Sequence, residues 1–279
     1  ITSFQNYFDR VVLTFDFSAH TFSGDPLRMP VPASWLRLPE DTDLFSGEFD
    51  ALEVWNGFAP ADTNSDGVRE DASLDLVLRD WLNFLAFGKN LAPVGNSDSH
   101  TNRADVVGMP RTFVRVVDDS STGIEAGLDA EIYDTLLGRS QMDMVVSNGP
   151  MLAVSADGGA TSALGQVVTA QGNAITLDIT ASGAEWVTFD TIEVFANATF
   201  DPRAGTTALT PLVCYTTRDP STMGANDPCV LAPLAPRALT VTQEALGGGY
   251  VRNRADVALN LNTADLATRT GATGEDAVV

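Results

Sequence analysis

Two residues with metal-binding side chains, Asp98 and His100, lie close together in the segment GNSDSH, at the end of a short apolar run. Side chains alternate between the two faces of a strand, so Asp98 and His100 would point to one side and Ser97 and Ser99 to the other. A Ser-His-Asp relay needs the histidine between the other two groups, which this alternation prevents. A carboxylate and an imidazole on one side form half of a site for Zn²⁺, Mn²⁺ or Fe²⁺. We therefore treat Asp98 and His100 as candidate metal ligands, with a polar turn as the simpler interpretation.

Three other residues bear on such a site. Glu53 is an acidic residue in the apolar strand pattern ALEVW, so it must be paired or lie near a metal, and ligation and a structural hydrogen bond are both open. Arg111, in MPRTFVRV, could bind a substrate anion from the same rim, although an arginine at a strand start is commonly part of a surface ion pair. His20 has polar neighbours in FDFSAHTFSG and is interpreted as a surface residue.

A second group of candidate ligands lies in the segment ADTNSDGVRED, which resembles the first part of a calcium loop. Side-chain oxygens occur at alternate positions before a glycine, and the candidate ligands are Asp62, Asn64, Asp66, Val68 through its carbonyl, and Glu70. The twelfth position, where a bidentate acid is expected, is Ser73. A looser Ca²⁺ site and an acidic solvated loop before a helix both remain open.

The elements that would position these residues alternate between strand and helix in the first half of the chain. FDALEVW, LAPVG and TFVRVV read as strands, and apolar residues at helical spacing predict helices from Ser73 to Gly88 and from Ile124 to Leu136. This order is typical of an α/β sheet or barrel. After about Gln141, short β-rich runs separated by turn residues predict an antiparallel β-sandwich. We therefore predict an α/β unit over residues 1–140 and a β-sandwich over residues 141–279.

The order of the motifs resembles that of a known superfamily. FDALEVWNG, GNSDSH, GMPRTFVRV and VVSNGPML follow one another as in the polymerase-and-histidinol-phosphatase (PHP) superfamily, and the chain looks most like the branch of large bacterial proteins that includes carbaryl hydrolases. The resemblance runs from about Tyr7 to about Phe195. It implies a distorted (βα)7 barrel with divalent metals at the C-terminal ends of its strands, Asp98 and His100 as the last two ligands, and a β-rich domain after SNGPML.

The family's earlier ligands have no counterpart here. Its H-x-H pair, middle acidic ligand and further histidines precede the EVWNG strand, whereas this chain contains only His20 and His100. The resemblance thus implies the C-terminal portion of a metal-dependent hydrolase with a partial barrel, inactive or impaired without the missing N-terminal barrel half. Its cofactors would be Zn, Mn or Fe ions, and its substrate a small-molecule phosphoester or another ester. The alternative function is a non-enzymatic extracellular binding or structural module with a β-sandwich and a calcium loop.

The composition excludes some partners. With 37 acidic and 16 basic residues and a net charge of −21, the chain should repel nucleic acid and anionic membranes. No run of about 18 apolar residues predicts a transmembrane segment. Cys214 and Cys229 flank a loop rich in Pro, Gly and Asp, and they are either unpaired small hydrophobic residues or a disulfide worth roughly 3 kcal/mol. A disulfide would indicate an exported protein, in the periplasm, cell envelope or extracellular space.

Overall fold

The computed structural model describes residues 50–56, 78, 81–82, 84–85, 91–99, 107–125, 129–136, 143–159, 162–170, 172–197 and 210–262. The strands in this part of the chain are β1 (Ala51–Asn56), β2 (Ala92–Asn96), β3 (Arg111–Val114), β4 (Met144–Ser147), β5 (Met151–Ala156), β6 (Ala174–Ala184), β7 (Thr191–Val194), β8 (Val213–Thr216), β9 (Arg237–Ala238), β10 (Thr242–Gly247) and β11 (Tyr250–Asn262). The helices are α1 (Ser121–Glu125), α2 (Asp129–Leu136) and α3 (Pro228–Leu231), with a 3-10 turn at Pro220–Thr222.

The predicted strands FDALEVW and LAPVG are confirmed as β1 and β2, which pair in parallel. Helical residues lie between them, as the helical spacing predicted, and Leu82 and Phe84 are buried there. Trp81 donates a hydrogen bond from Nε1 to the backbone oxygen of Leu91, just before β2 begins. Because β1 and β2 are parallel, both strands run toward the same edge of their sheet.

The prediction of a partial (βα)7 barrel is wrong for the described residues. A barrel of that type needs β3 to continue the parallel sheet, but β3 pairs antiparallel with β4 in a separate two-stranded sheet. Thr112 Oγ1 accepts a hydrogen bond from the backbone nitrogen of Gly95 and donates one to the backbone oxygen of Gly95. The contact between β3 and β2 at this point is therefore made by a side chain and not by paired backbone groups. The β3–β4 pair also links residues on either side of residue 140, and the predicted boundary there stays a prediction.

Two sheets share one hydrophobic core in the C-terminal half, whose β-rich character agrees with the sequence pattern. One sheet is antiparallel with strand order β10-β11-β6-β5, and the other has the order β7-β8-β9 with a parallel β8–β9 pair. Apolar residues at alternate positions of β6 and β11, such as Ile179 and Leu259, enter the same buried cluster as Ile192 of β7 and Val213 of β8. Tyr215 donates a hydrogen bond to the backbone oxygen of Ala258, which ties the two sheets together.

A disulfide joins Cys214 of β8 to Cys229 of α3. Of the two predicted alternatives, unpaired cysteines and a disulfide, the structure has the disulfide. The enclosed loop is ordered by its own side chains: Asp219 caps the 3-10 turn and Asp227 caps α3, each accepting a backbone hydrogen bond. Arg218 forms an ion pair with Asp227 at 2.8 Å. In the described part of the chain, none of the helices combines the length and the apolar character that crossing a membrane would require.

Candidate functional site

The carboxyl ends of β1 and β2 bring together Glu53 and Asn96. Asn96 donates a hydrogen bond from Nδ2 to Oε1 of Glu53 at 2.5 Å. The register explains the contact: Glu53 is opposite Val94, and Asn96 lies two residues further along the same strand, so both side chains are on one face. A bulge at Val54 shifts the pairing, so that Trp55 is opposite Gly95 and belongs to the other face.

The Glu53 carboxylate is buried in apolar surroundings. Only 3% of Glu53 is exposed, and its face of the sheet carries Ala51 and Val94, which pack with Met144 of β4. Its second oxygen, Oε2, is buried and has no hydrogen-bond partner among the described residues. Burying a carboxylate without compensation costs several kcal/mol, so this oxygen calls for a donor or a cation. Asn96 is itself exposed, which places the carboxylate just beneath the surface.

The strand that carries Asn96 is held closely against β3 and β4. A Cβ atom at Gly95 would lie 2.4 Å from Cγ1 of Val146 and 3.6 Å from Cβ of Pro110, so only glycine fits between these neighbours. Thr112 bonds both backbone groups of Gly95 at 2.8 and 3.1 Å. Gly95 thus fixes the end of β2 from which Asn96 extends.

Of the two predicted ligands in GNSDSH, only Asp98 lies among the described residues. It follows Asn96 by two positions and is exposed. Its φ of 43° is in the left-handed region, whereas β2 ends at Asn96, so the strand alternation used to align Asp98 with His100 does not continue through this residue. His100 and His20 lie outside the described residues. The pairing of Asp98 with His100 in one site stays a prediction.

Arg111 begins β3, where it pairs with Ser147 of β4. Its guanidinium lies over the Phe113 ring, 5.0 Å from the centroid, and the residue is exposed. The structure places Arg111 next to Thr112, the residue that contacts the end of β2, but it records no contact between Arg111 and Glu53. Its role as an anion-binding residue stays a prediction.

The predicted calcium ligands Asp62, Asn64, Asp66, Val68 and Glu70 all lie outside the described residues. Within the described ranges, one group of three metal-ligating side chains is close enough to hold an ion: Glu193, Cys214 and Cys229. Its two sulfurs are bonded to each other, so they are not thiolate ligands in this state. This cluster therefore does not account for a metal site, and Glu53 belongs to no such group of three among the described residues.

Asn96, which contacts Glu53, is not among the candidate site residues that the sequence indicated. No local signal in LAPVGN could have identified it, because the contact depends on the parallel pairing of two segments 43 positions apart. The carboxylate oxygen of Glu53 suits a hard divalent ion such as Mn²⁺ better than an ion that prefers sulfur ligands. Comparisons with protein-family models, curated proteins and solved structures find no match to this chain.

Proposed function

We propose that the carboxyl ends of β1 and β2 form part of a divalent-cation site in a metal-dependent hydrolase. The observation that carries this proposal is the buried Glu53 carboxylate, whose Oε2 has no partner in the described part of the chain. A cation would supply the compensation that burial requires. The position supports the proposal as well, because sites in α/β units collect at the carboxyl ends of parallel strands.

Each described residue then has a distinct task. Glu53 would bind the cation through Oε2, and Asn96, by donating to Oε1, would hold the carboxylate in one orientation. Asp98 and His100 would be two further ligands, as the resemblance to PHP proteins implies. A bound cation lowers the pKa of a coordinated water and polarises the oxygen of the bond under attack. Arg111 would bind the anionic group of the substrate. The same resemblance implies that this substrate is a phosphoester.

Metal binding is the first test. The protein is stripped with a chelator and titrated with Mn²⁺, following binding by calorimetry. We expect saturable binding that Glu53→Gln weakens about 10- to 100-fold, the range typical when a metal site loses a supporting group. Glu125→Gln is the matched control, since it removes the same charge from an exposed position on α1. Equal Mn²⁺ affinity in the wild type and Glu53→Gln would sink the proposal.

Hydrolysis is tested separately, on the full-length gene product with bis-p-nitrophenyl phosphate and p-nitrophenyl acetate as phosphoester and carboxylester probes. Phosphoester turnover that requires Mn²⁺ and falls in Glu53→Gln supports the phosphoesterase assignment. Turnover of p-nitrophenyl acetate alone would instead assign the protein as a carboxylesterase. Mn²⁺ binding without turnover of either probe would support the cation site but contradict the proposal that the protein is a hydrolase.

The disulfide supports export to an oxidising compartment, where such bonds persist. Secretion can be tested by fractionating the native cells and probing each fraction with an antibody to the chain. The alternative function, a non-enzymatic binding module, is favoured by a different observation: two large aromatic residues of the C-terminal half, Trp186 and Tyr250, are exposed.

A further inference from the structure

The strands β7 and β8 place a carboxylate beside a sulfur on the face of their sheet that is turned away from the core. Ile192 of β7 and Val213 of β8 belong to the buried apolar cluster. Side chains alternate along a strand, so the next residues, Glu193 and Cys214, belong to the opposite face. These two residues are directly opposite each other in the antiparallel β7–β8 pair. The strand register therefore brings their side chains together.

The disulfide brings a second sulfur to the same place. The Cα atoms of Cys214 and Cys229 are 5.3 Å apart. One carboxylate oxygen of Glu193 and the two sulfurs all lie within 4.8 Å of one another. Both cysteines are fully buried, whereas Glu193 is exposed. The three side chains thus form a group with a buried sulfur side and a carboxylate side that solvent reaches.

Arg218 supports the sulfur of Cys229. Its Nη2 donates a hydrogen bond to Sγ of Cys229 at 3.8 Å, and its Nη1 lies 2.8 Å from Oδ2 of Asp227. The other oxygen of Asp227 accepts a hydrogen bond from the backbone nitrogen of Cys229 at 2.9 Å. A guanidinium that donates to a sulfur favours the thiolate once that sulfur is no longer bonded to another. The surroundings of Cys229 therefore suit an anionic sulfur.

Reduction of the disulfide would turn this group into a set of metal ligands. A dithiol reductant supplies two electrons and two protons: the S–S bond breaks, Cys214 and Cys229 become thiols, and the dithiol becomes a disulfide. With both thiols ionised, two thiolates and the Glu193 carboxylate would each carry a negative charge, while Arg218 is already paired with Asp227. Buried like charges need compensation, which a divalent cation provides by displacing the two thiol protons.

We propose that Glu193, Cys214 and Cys229 bind one Zn²⁺ ion when the disulfide is reduced by a dithiol. Thiolates select Zn²⁺ over Mg²⁺ and Ca²⁺. With Zn–S bonds of about 2.3 Å, tetrahedral geometry sets two sulfurs about 3.8 Å apart, which side-chain rotation allows for Cα atoms at 5.3 Å. The fourth position is open to water on the exposed side of Glu193.

The zinc ion would take over the task of the disulfide. In both redox states β8 stays linked to α3, through the S–S bond in one and through the ion in the other. The same three ligands are present in a newly made chain before the bond forms. The proposal is independent of the cation site at Glu53, because it uses other residues and requires thiolates.

The test uses the whole chain, reduced with a phosphine, which becomes its oxide, and then freed of the reagent without air. Zn²⁺ binding is measured by competition with a chromophoric chelator, and Co²⁺ serves as a spectroscopic probe. We expect one more Zn²⁺ per reduced chain than per oxidised chain. Only the reduced chain should give the near-ultraviolet charge-transfer band of cobalt bound to thiolates. That band requires sulfur ligands, so an ion bound at Glu53 does not produce it.

Three variants identify the ligands. Glu193→Gln should raise the Kd for Zn²⁺ at least about tenfold, because a ligand is lost, and Arg218→Gln should raise it about tenfold, because the thiolate loses its donor. Glu185→Gln is the matched control, since it removes the same charge from an exposed position just after β6. Cys214→Ser/Cys229→Ser should show neither the cobalt band nor any difference between reducing and oxidising conditions.

Circular dichroism shows whether the reduced chain stays folded. If reduction unfolds part of it, Zn²⁺ should restore the native spectrum, because binding free energy then drives folding. A reduced chain that binds no additional Zn²⁺ would overturn the proposal, and so would a Glu193→Gln variant with the wild-type Kd. Equal Zn²⁺ binding by reduced and oxidised chains, without the cobalt band, would also overturn it, because the ion would then be bound elsewhere.

Discussion

Asn96 Nδ2 lies 2.5 Å from Oε1 of Glu53, across the parallel β1–β2 pair. This contact satisfies one oxygen of a carboxylate that is buried on the face shared with Ala51, Val94 and Met144. The other oxygen, Oε2, is buried and has no hydrogen-bond partner among the described residues. A buried carboxylate that is only half hydrogen-bonded is costly unless something binds to its second oxygen.

Glu53→Gln should have opposite effects on stability with and without metal. Without metal, the change removes a buried charge while an amide oxygen can still accept from Asn96, so we expect the free energy of unfolding to rise by about 1 kcal/mol. With Mn²⁺ at about 100 times the wild-type Kd, the wild type should gain roughly 2.7 kcal/mol, and the variant, with its Kd about 10- to 100-fold higher, only about 0.4–1.4 kcal/mol. Urea titrations with and without Mn²⁺ measure both effects. A variant less stable than the wild type in both conditions would contradict this.

Gly95→Ala should destabilise the protein by about 1–3 kcal/mol, the usual cost of overpacking. The added Cβ would lie 2.4 Å from Cγ1 of Val146 and 3.4 Å from the backbone oxygen of Trp55. Val146→Ala in the same chain should restore much of the loss, because it removes the clashing methyl group. A double-mutant cycle by urea denaturation gives the coupling between the two sites. Simple additivity of the two single changes would show that this clash is not the cause.

Removing the disulfide should lower stability by about 3 kcal/mol, the chain-entropy cost of a loop of this length. Cys214 and Cys229 are separated by 15 positions, and both are fully buried. The double variant Cys214→Ala/Cys229→Ala should unfold at lower urea than the wild type, and dithiothreitol should shift only the wild type. If dithiothreitol shifts both proteins equally, its effect does not come from this bond.

Acid should weaken the β10–β11 hairpin. The pKa of Glu244 lies below its ordinary value of 4.5 mainly because of the hydrogen bond with Arg252, and that of Asp256 lies below 3.8 mainly because of Arg254. Carboxyls with a lowered pKa bind fewer protons when folded, so their stabilisation is present above these ordinary values and is lost as the pH falls through the folded ones.

The measurement is the urea midpoint at several pH values between about 6 and 3. Glu244→Gln/Asp256→Asn should lose less stability over this range than the wild type. Relief of the general negative charge acts on both proteins, so the difference between them isolates the hairpin. Glu125→Gln, on the exposed face of α1, should follow the wild-type curve. Parallel curves for the wild type and the double variant would contradict the assignment.

Asn253→Ala should cost about 1–3 kcal/mol, because it leaves the backbone oxygens of Glu185 and Val187 without their buried donor. Asn253→Asp should be worse, since a carboxylate would face those same oxygens. The turn from Ala184 to Val187 should loosen in both variants, which faster amide exchange at Val187 would report, because that amide closes the turn. Unchanged exchange at Val187 would show that Asn253 does not hold the turn.

The sequence by itself determined the local features that depend on near neighbours in the chain. Apolar runs bounded by turn residues located β1 and β2, helical spacing located the helical residues between them, and short alternating runs marked the C-terminal half as β-rich. The sequence also marked Glu53 as an acid that needs a partner, since a charge in an apolar strand is unfavourable anywhere in a protein.

Only the tertiary structure decided which segments meet. The alternation of strands and helices did not distinguish a parallel continuation from the antiparallel return of β4 onto β3, so the barrel prediction was wrong. Nor could local pattern supply the bulge at Val54, the hydrogen bond that Asn96 donates to Glu53, or the bond between Cys214 and Cys229. These features depend on which distant segments of the chain come together. Their free energy is set by strand register and burial, which cannot be read from any short stretch of sequence.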